Sequence, residues 1–266
     1  MTETETLEAT NTKKVEEEED SDDDEDYPRW IRSIRSKTGL ETAIEIDWPS
    51  SSQTLTLSTC MEPDDIAPMF DGTQWAGTRV WRSSIVATQY LLAHHHEQSD
   101  QTLLELGCGL GVPGMILHAL RGWKVVLTDK DPLPKQLENN SKTNFGEEVY
   151  GAQIQAHELD WSRDGVQELM KKQYFSSQQF DFVVNCDCVY EPLYGESWKL
   201  LVETMDELLR INPQTVMITS LERRKADGVD KFLKALEQSD HISKVERLDF
   251  ETDWPEVQLY RVYGCL

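Results

Sequence analysis

An α/β chain built on one open, mostly parallel sheet of about seven strands is the fold class this sequence predicts. Three observations carry it. After Leu103 short apolar runs alternate with amphipathic segments, glycines at 107, 109, 111 and 114 follow the first of those runs, and the last two runs are joined by a loop too short for a helix. Such alternation means parallel strands linked by right-handed helical crossovers, and the short final connection makes the last strand antiparallel. At 266 residues the chain can bury one substantial core.

The elements follow in order. Residues 1–27 hold 13 Asp or Glu against 2 Lys, a composition too polar and self-repelling to fold, so a disordered acidic tail is expected. Next comes YPRWIRSIRSK, where Trp30, Ile31 and Ile34 share a helical face and Arg29, Arg32, Arg35 and Lys37 supply charge. It reads as a short docked element whose charges are solvated or paired to the tail, or as an arm that contacts substrate or regulates the domain. Residues 43–48 and 53–58 alternate apolar with polar side chains around WPSSS and predict a two-stranded hairpin.

Val80, Trp81, Ile85, Val86, Tyr90 and Leu91 place a helix over 79–98. Strands are then expected at 103–106, 124–128, 154–159, 180–185 and 215–220, with helices at 112–120, 133–143, 165–174, 194–210 and 226–238 between and after them. Two further strands, 242–248 and 258–263, close the series. In the helix at 194–210, Trp198, Leu201, Val202, Met205, Leu208 and Leu209 follow helical periodicity and read as core. The sheet is Rossmann-like, with ligands expected at the carboxyl ends of its strands. Three parts result: the tail at 1–27, an extension with the hairpin at 28–78, and a main domain at 79–266.

Charge and cysteine usage narrow the function. The formal charge of -23 argues against a nucleic-acid binder, whose affinity comes from Lys and Arg releasing counterions, and favours a basic protein partner. Five cysteines, 60, 108, 186, 188 and 265, are few and odd in number, so no disulfide framework is expected. No apolar run spans a bilayer and the N-terminus is acidic rather than basic, so a cytoplasmic or nuclear protein, without membrane association and monomeric, is expected.

The candidate site lies at the strand ends. LELGCGLGVPG reads as a strand turning tightly into a helix over a nucleotide, with Gly107, Cys108 and Gly109 close to the ligand. Its G-x-G-x-x-G spelling at Gly109, Gly111 and Gly114 also suits a dinucleotide. Glu105, at the strand end, suits a cationic ligand such as an amine beside a sulfonium. Asp129 ends the second strand, where a carboxylate accepts ribose hydroxyls, while Asp131 before Pro132 reads as a helix cap. Asp160 and Trp161 end the third strand, where an adenine could be bonded and covered. The fourth strand ends in NCDCVYEP: Asp187 and Tyr190 are the candidate catalytic pair, able to orient a substrate amine toward an electrophilic methyl group. Cys186 and Cys188 are too few for a structural zinc site, and His94, His95 and His96 read as a solvated helix end, so no metal is expected.

Together these segments resemble the family-16 protein methyltransferases of eukaryotes, the methyltransferase-like 21 type. GTRVWRSSIVATQYL at 77–91, LELGCGLGVPG, LTD at 127–129 and CDCVY at 186–190 carry the likeness, which covers roughly residues 40–266. The resemblance implies a class I methyltransferase sheet and S-adenosylmethionine as cofactor. It implies that Trp81 borders the cofactor, Gly107 to Gly109 line its methionine part, Asp129 holds the ribose and Trp161 covers the adenine. Cys186 would close the pocket where family members often carry a small residue such as alanine. Asp187 to Tyr190 matches a D-x-x-Y signature associated with lysine methylation. Substrates of the family include chaperones, an AAA ATPase, calmodulin and translation factors, so a protein substrate is implied, and the tail has no family counterpart. Other readings stay open: methylation of a histidine, an N-terminus or a small molecule on the same fold, an NAD-dependent oxidoreductase, and a non-catalytic protein that binds basic partners through its acidic tail.

Overall fold

The computed structural model describes residues 27–60, 76–95, 99–172 and 179–266. The expectation of a disordered tail therefore concerns residues outside those described, as does His96. Ten strands and seven helices are described: β1 (Ile31–Arg35), β2 (Glu41–Ile46), β3 (Leu55–Ser58), α1 (Arg82–His94), β4 (Thr102–Leu106), α2 (Val112–Arg121), β5 (Lys124–Asp129), α3 (Leu133–Phe145) and β6 (Ile154–Glu158), then α4 (Arg163–Lys171), β7 (Phe182–Cys186), α5 (Glu191–Tyr194), α6 (Trp198–Ile211), β8 (Val216–Glu222), α7 (Val229–Glu237), β9 (Ile242–Leu248) and β10 (Val257–Gly264).

Seven strands form the main sheet in the order β6-β5-β4-β7-β8-β10-β9. Five run parallel from β6 to β8, and β10 is antiparallel to both of its neighbours, as the short final connection dictates. Order reverses between β4 and β7, which puts the switch point beside the glycine loop. Both faces are covered, and side chains along each strand alternate between two cores. Leu103, Val125, Leu127, Phe182, Val184 and Ile218 pack on the face of α1, α2 and α3. Leu104, Leu106, Val126, Val183 and Met217 pack on the face of α4, α6 and α7.

Two elements differ from the sequence expectation. Residues 31–35 form a strand, not a helical face: β1 pairs antiparallel with β2, with Ile31 opposite Ile46 and Arg32 opposite Glu45. β-branched Ile31 and Ile34 suit a strand, and pairing to β2 overrides the helical spacing. Arg32 is neither free nor tied to the tail; it bridges Glu45 at 3.0 Å and Asp47 at 2.9 Å. The helix at 194–210 is split, because Gly195 adopts φ +57 and closes α5 before α6 begins. The six residues read as core in that stretch are all buried.

The hairpin of β2 and β3 forms as expected, with Ile44 opposite Leu57 and Ile46 opposite Leu55. The free edge of β3 would expose unpaired backbone. Amides on α3 cover it instead: Asn144 Oδ1 accepts from the Thr56 N–H at 2.8 Å, Asn140 Oδ1 accepts from the Ser58 N–H at 2.9 Å, and Gln136 donates to the Ser58 carbonyl. Ile44, Ile46, Leu55 and Leu57 join the same core as α1 and α2, so the small sheet is packed onto the main one.

Candidate active site

A cavity of about 540 Å³ opens at the carboxyl ends of β4 to β7, within the range of small-molecule sites. Its first wall is the turn after β4. Gly107, Gly109 and Gly111 all have positive φ, of 57°, 54° and 71°. At Gly107 the left-handed backbone is combined with close approach: a Cβ there would meet Cys188 Sγ at 2.8 Å and the Trp161 ring at 2.9 Å. Gly114 answers to packing alone, since a Cβ would come within 2.7 Å of Leu127 and Val125.

Asp129 fixes this turn from the end of β5. Its carboxylate accepts from the Gly109 N–H at 2.8 Å and the Lys130 N–H at 2.7 Å. Burial outweighs those bonds and pushes its pKa up to about 6. Trp161, just after β6, lines the cavity with its ring against Gly107, and exposed Asp160 beside it also belongs to the lining. Trp81, just ahead of α1, donates from Nε1 to the Ala76 carbonyl at 3.0 Å and also lines the cavity.

A second part of the lining comes from the end of β7 and from α5, with Cys188 Sγ beside the Gly107 turn. Cys186, Asp187, Cys188, Leu193 and Tyr194 belong to it. Burial pushes the thiols of Cys108, Cys186 and Cys188 well above their ordinary range, so they are neutral and poor nucleophiles. Asp187 has φ 56°, and its amide donates to the Ser220 carbonyl at 2.8 Å. Its carboxylate is bound bidentately by Arg224: Nη1 donates to Oδ1 at 3.0 Å and Nη2 to Oδ2 at 2.6 Å. The Glu222 N–H adds a third bond to Oδ1 at 3.2 Å.

Eight of the ten expected site residues therefore line the cavity: Trp81, Gly107, Cys108, Gly109, Asp129, Trp161, Cys186 and Asp187. Two lie elsewhere. Glu105 is 1 % exposed behind the turn, where it accepts from the Gly114 N–H at 2.8 Å. Its side chain falls on the inner face with Leu103 because strand residues alternate, so it faces the start of α2 rather than a ligand. Burial pushes its pKa up to about 8, which leaves it largely protonated at neutrality. Tyr190 stands outside the lining, its ring 5.3 Å from the Arg224 guanidinium carbon. Asp131 does not cap α3, whose first turn has no side-chain cap; it lines the cavity instead.

Arg224 and Glu222 went unnoticed in the sequence. Their one signal is a charged LERRK run that directly follows an apolar strand, at a sheet edge where ligands bind. Among the described residues no cluster of His, Cys, Asp or Glu could hold a metal, and no helix is long and apolar enough to cross a membrane.

The cavity fits a nucleoside with a charged methionine tail. The glycine turn, Val112 at the start of α2, Asp129 and Trp161 all line it. Comparison with known proteins agrees with this geometry. A family model described as lysine methyltransferase matches residues 64–239. Secreted RxLR effector protein 48 of Plasmopara viticola is 39% identical over 134 residues, covering 48% of this chain and 66% of that protein. Histone-arginine methyltransferase METTL23 of Xenopus laevis is 30% identical over 151 residues, 57% of this chain and 59% of that protein. EEF1A lysine methyltransferase 3 of Mus musculus is 25% identical over 222 residues, 80% of this chain and 88% of that protein. The chain spans between 55% and 66% of the length of the first curated relatives it matches. It belongs to the lysine methyltransferase family, whose methyl donor is S-adenosylmethionine.

Proposed function

We propose that this chain is a protein-lysine N-methyltransferase acting on a basic protein of the cytosol or nucleus. One observation supports it most: the glycine turn, Asp129 and Asp187 line a single cavity. Donor and acceptor can then meet without either leaving its wall. The relatives named as lysine methyltransferases of proteins point the same way, and the acidic chain suits a basic target.

Bound in the cavity, the cofactor supplies an electrophilic methyl group on a positively charged sulfur. The turn at Gly107 to Gly109 would border its amino-acid part and Asp129 would hold its ribose, with Trp161 against the base. The chain's own contribution is alignment and desolvation. Asp187 already accepts from Arg224 and the Glu222 amide, so it orients an amine rather than removing its proton. The acceptor must arrive neutral, which a dry cavity favours for an amine. Neutral Cys108, Cys186 and Cys188 stay out of the chemistry.

Incubating cell extract with labelled S-adenosylmethionine and the purified chain, then mapping the label by mass spectrometry, tests this. Label on a lysine nitrogen supports it; label confined to small molecules overturns it. An arginine acceptor is the second reading, because a guanidinium already sits beside the cavity against Asp187 and one relative carries the name histone-arginine methyltransferase. The same mapping separates the two.

A further inference from the structure

A second cavity, of about 370 Å³, lies between α1 and the loop that joins β9 to β10. Strand direction decides where that loop stands. Because β10 runs antiparallel to β8, the start of β10 lies at the carboxyl end of β8: Val257 pairs with Glu222, whose carboxylate accepts from Arg224 at 2.8 Å. Residues 249–256 therefore leave the sheet at the edge that also carries the glycine turn and Asp187.

One stripe of α1 carries the loop. Arg82, Val86 and Tyr90 recur at four-residue intervals and share a helical face. At one end of the stripe Arg82 donates to Glu256 Oε1 at 2.9 Å, and at the other the Phe250 ring meets Tyr90 edge-on at 5.6 Å. The Arg223 N–H adds a bond to the Glu256 carbonyl at 2.9 Å. The loop is thus pinned at both ends, and Val86, Val257 and Leu259 supply the buried, apolar part of the cavity lining. Its exposed part is charged. Asp249 and Glu251 belong to the lining and Asp253 follows in the loop; all three are exposed, and none makes a hydrogen bond or ion pair among the described residues. Arg247 is the base in the lining, while residues 249–256 hold four acids and no Lys or Arg.

We infer that this second cavity binds a basic segment of the protein substrate beside the acceptor residue, with an Arg or Lys stem against Val86, Val257 and Leu259 and its head group at Asp249 and Glu251. The inference rests on the protein-methyltransferase reading given above. Apolar surface next to unpaired carboxylates suits a long cationic side chain, whose stem is buried while its charge stays in water. The same carboxylates repel a phosphate backbone. The bound segment keeps its charge outside the active cavity, so the acceptor itself still arrives neutral. One chain can reach both places. Trp81 lines the active cavity and its neighbour Arg82 pins the loop. Val86 lies about 6 Å along α1 from Arg82, a span of about two extended residues.

Titrating the full chain with the peptide acetyl-Ala-Arg-Leu-Arg-Ala-amide at low salt, with S-adenosylhomocysteine present and amide resonances as readout, tests the inference. The peptide carries no lysine, so under the lysine reading it is not itself an acceptor. Resonances of residues 247–259 and of Val86 should shift. Asp249→Asn combined with Glu251→Gln should weaken the binding they report about fivefold or more. Glu237→Gln combined with Asp240→Asn removes the same charge from exposed positions elsewhere and should leave it within about twofold.

No shift at 247–259, or shifts confined to residues 1–27 or to the active cavity, would overturn the inference. Equal weakening by the two double variants would do so too, because it would reduce the binding to net charge. So would equal shifts with acetyl-Ala-Gln-Leu-Gln-Ala-amide, which would make the cavity a site for apolar groups. Where the first double variant lacks a cooperative thermal transition, Glu251→Gln alone takes its place with the same outcomes. Methyl transfer is read separately, from labelled S-adenosylmethionine in cell extract. Peptide uptake at 247–259 without any labelled protein would sink the enzymatic reading and leave the basic-segment site; labelled protein without peptide uptake would do the reverse.

Discussion

The two walls of the cavity are built on different principles. On the donor wall the glycine turn is held by one carboxylate: Asp129 accepts from the Gly109 amide, 20 residues earlier, and from the Lys130 amide beside it. On the acceptor wall they are side chains from distant segments: Trp81 before α1, Asp187 and Tyr190 after β7, Glu222 and Arg224 at and after the end of β8. A wall of turn and strand can be disrupted only by forcing the backbone. A wall of ion pairs and ring contacts can exchange partners, which suits the side proposed to admit the substrate.

The largest expected effect breaks the donor wall. Gly107→Val places a branched side chain at φ 57° where even a Cβ would sit 2.8 Å from Cys188 Sγ. Positive φ alone costs a β-branched residue on the order of 1–3 kcal/mol, and overpacking adds a similar amount. Affinity for S-adenosylhomocysteine should fall by about 100-fold or more in calorimetry. An unchanged affinity would remove the turn from the site.

Asp187→Ala attacks the other wall and should separate the two. It strips the bidentate partner from a largely buried guanidinium, so stability should fall by roughly 2–3 kcal/mol in denaturant titration. Methyl transfer should fall by about two orders of magnitude, while affinity for S-adenosylhomocysteine stays within about threefold. Loss of cofactor affinity equal to the loss of transfer would mean the walls are not independent.

Two pH effects sharpen the donor wall. The folded chain holds a proton on Glu105 up to about pH 8, whereas the ordinary value is 4.5. The unfolded chain releases that proton first, so stability should decline as pH rises from about 4.5 to about 8. Glu105→Gln should flatten that decline in melting temperature measured without added cofactor. Asp129 ionises near pH 6, so affinity for S-adenosylhomocysteine should rise as pH passes that value, and Asp129→Asn should remove the rise. The smallest effect belongs to Arg32→Ala. Its bridges to Glu45 and Asp47 are solvent-exposed, so the melting temperature should shift by no more than about 2 °C.

The same contrast explains what could be read in advance. The alternating strands and helices, the turn at Gly107 to Gly111 and Asp129 were legible because each depends on local spacing. Residues 31–35 misled because their spacing also suits a helix, and only the pairing of Ile31 with Ile46 decides it. Glu105 was read as ligand-facing because its place at a strand end is visible in sequence, but the side it faces depends on packing against Gly114. Arg224 was missed because its partner Asp187 is 37 residues away, and nothing local marks an ion pair across adjacent strands.

The central claim is that one cavity carries both donor and acceptor, with the Asp187 wall directing the methyl group to a protein lysine. The most direct measurement compares the wild type with Asp187→Ala in extract supplied with labelled S-adenosylmethionine, with the labelled position mapped by mass spectrometry. The wild type should label a lysine nitrogen of a protein, and the variant should bind S-adenosylhomocysteine yet leave that lysine unlabelled. Full labelling by the variant at saturating cofactor would contradict the claim, as would label found on no protein at all.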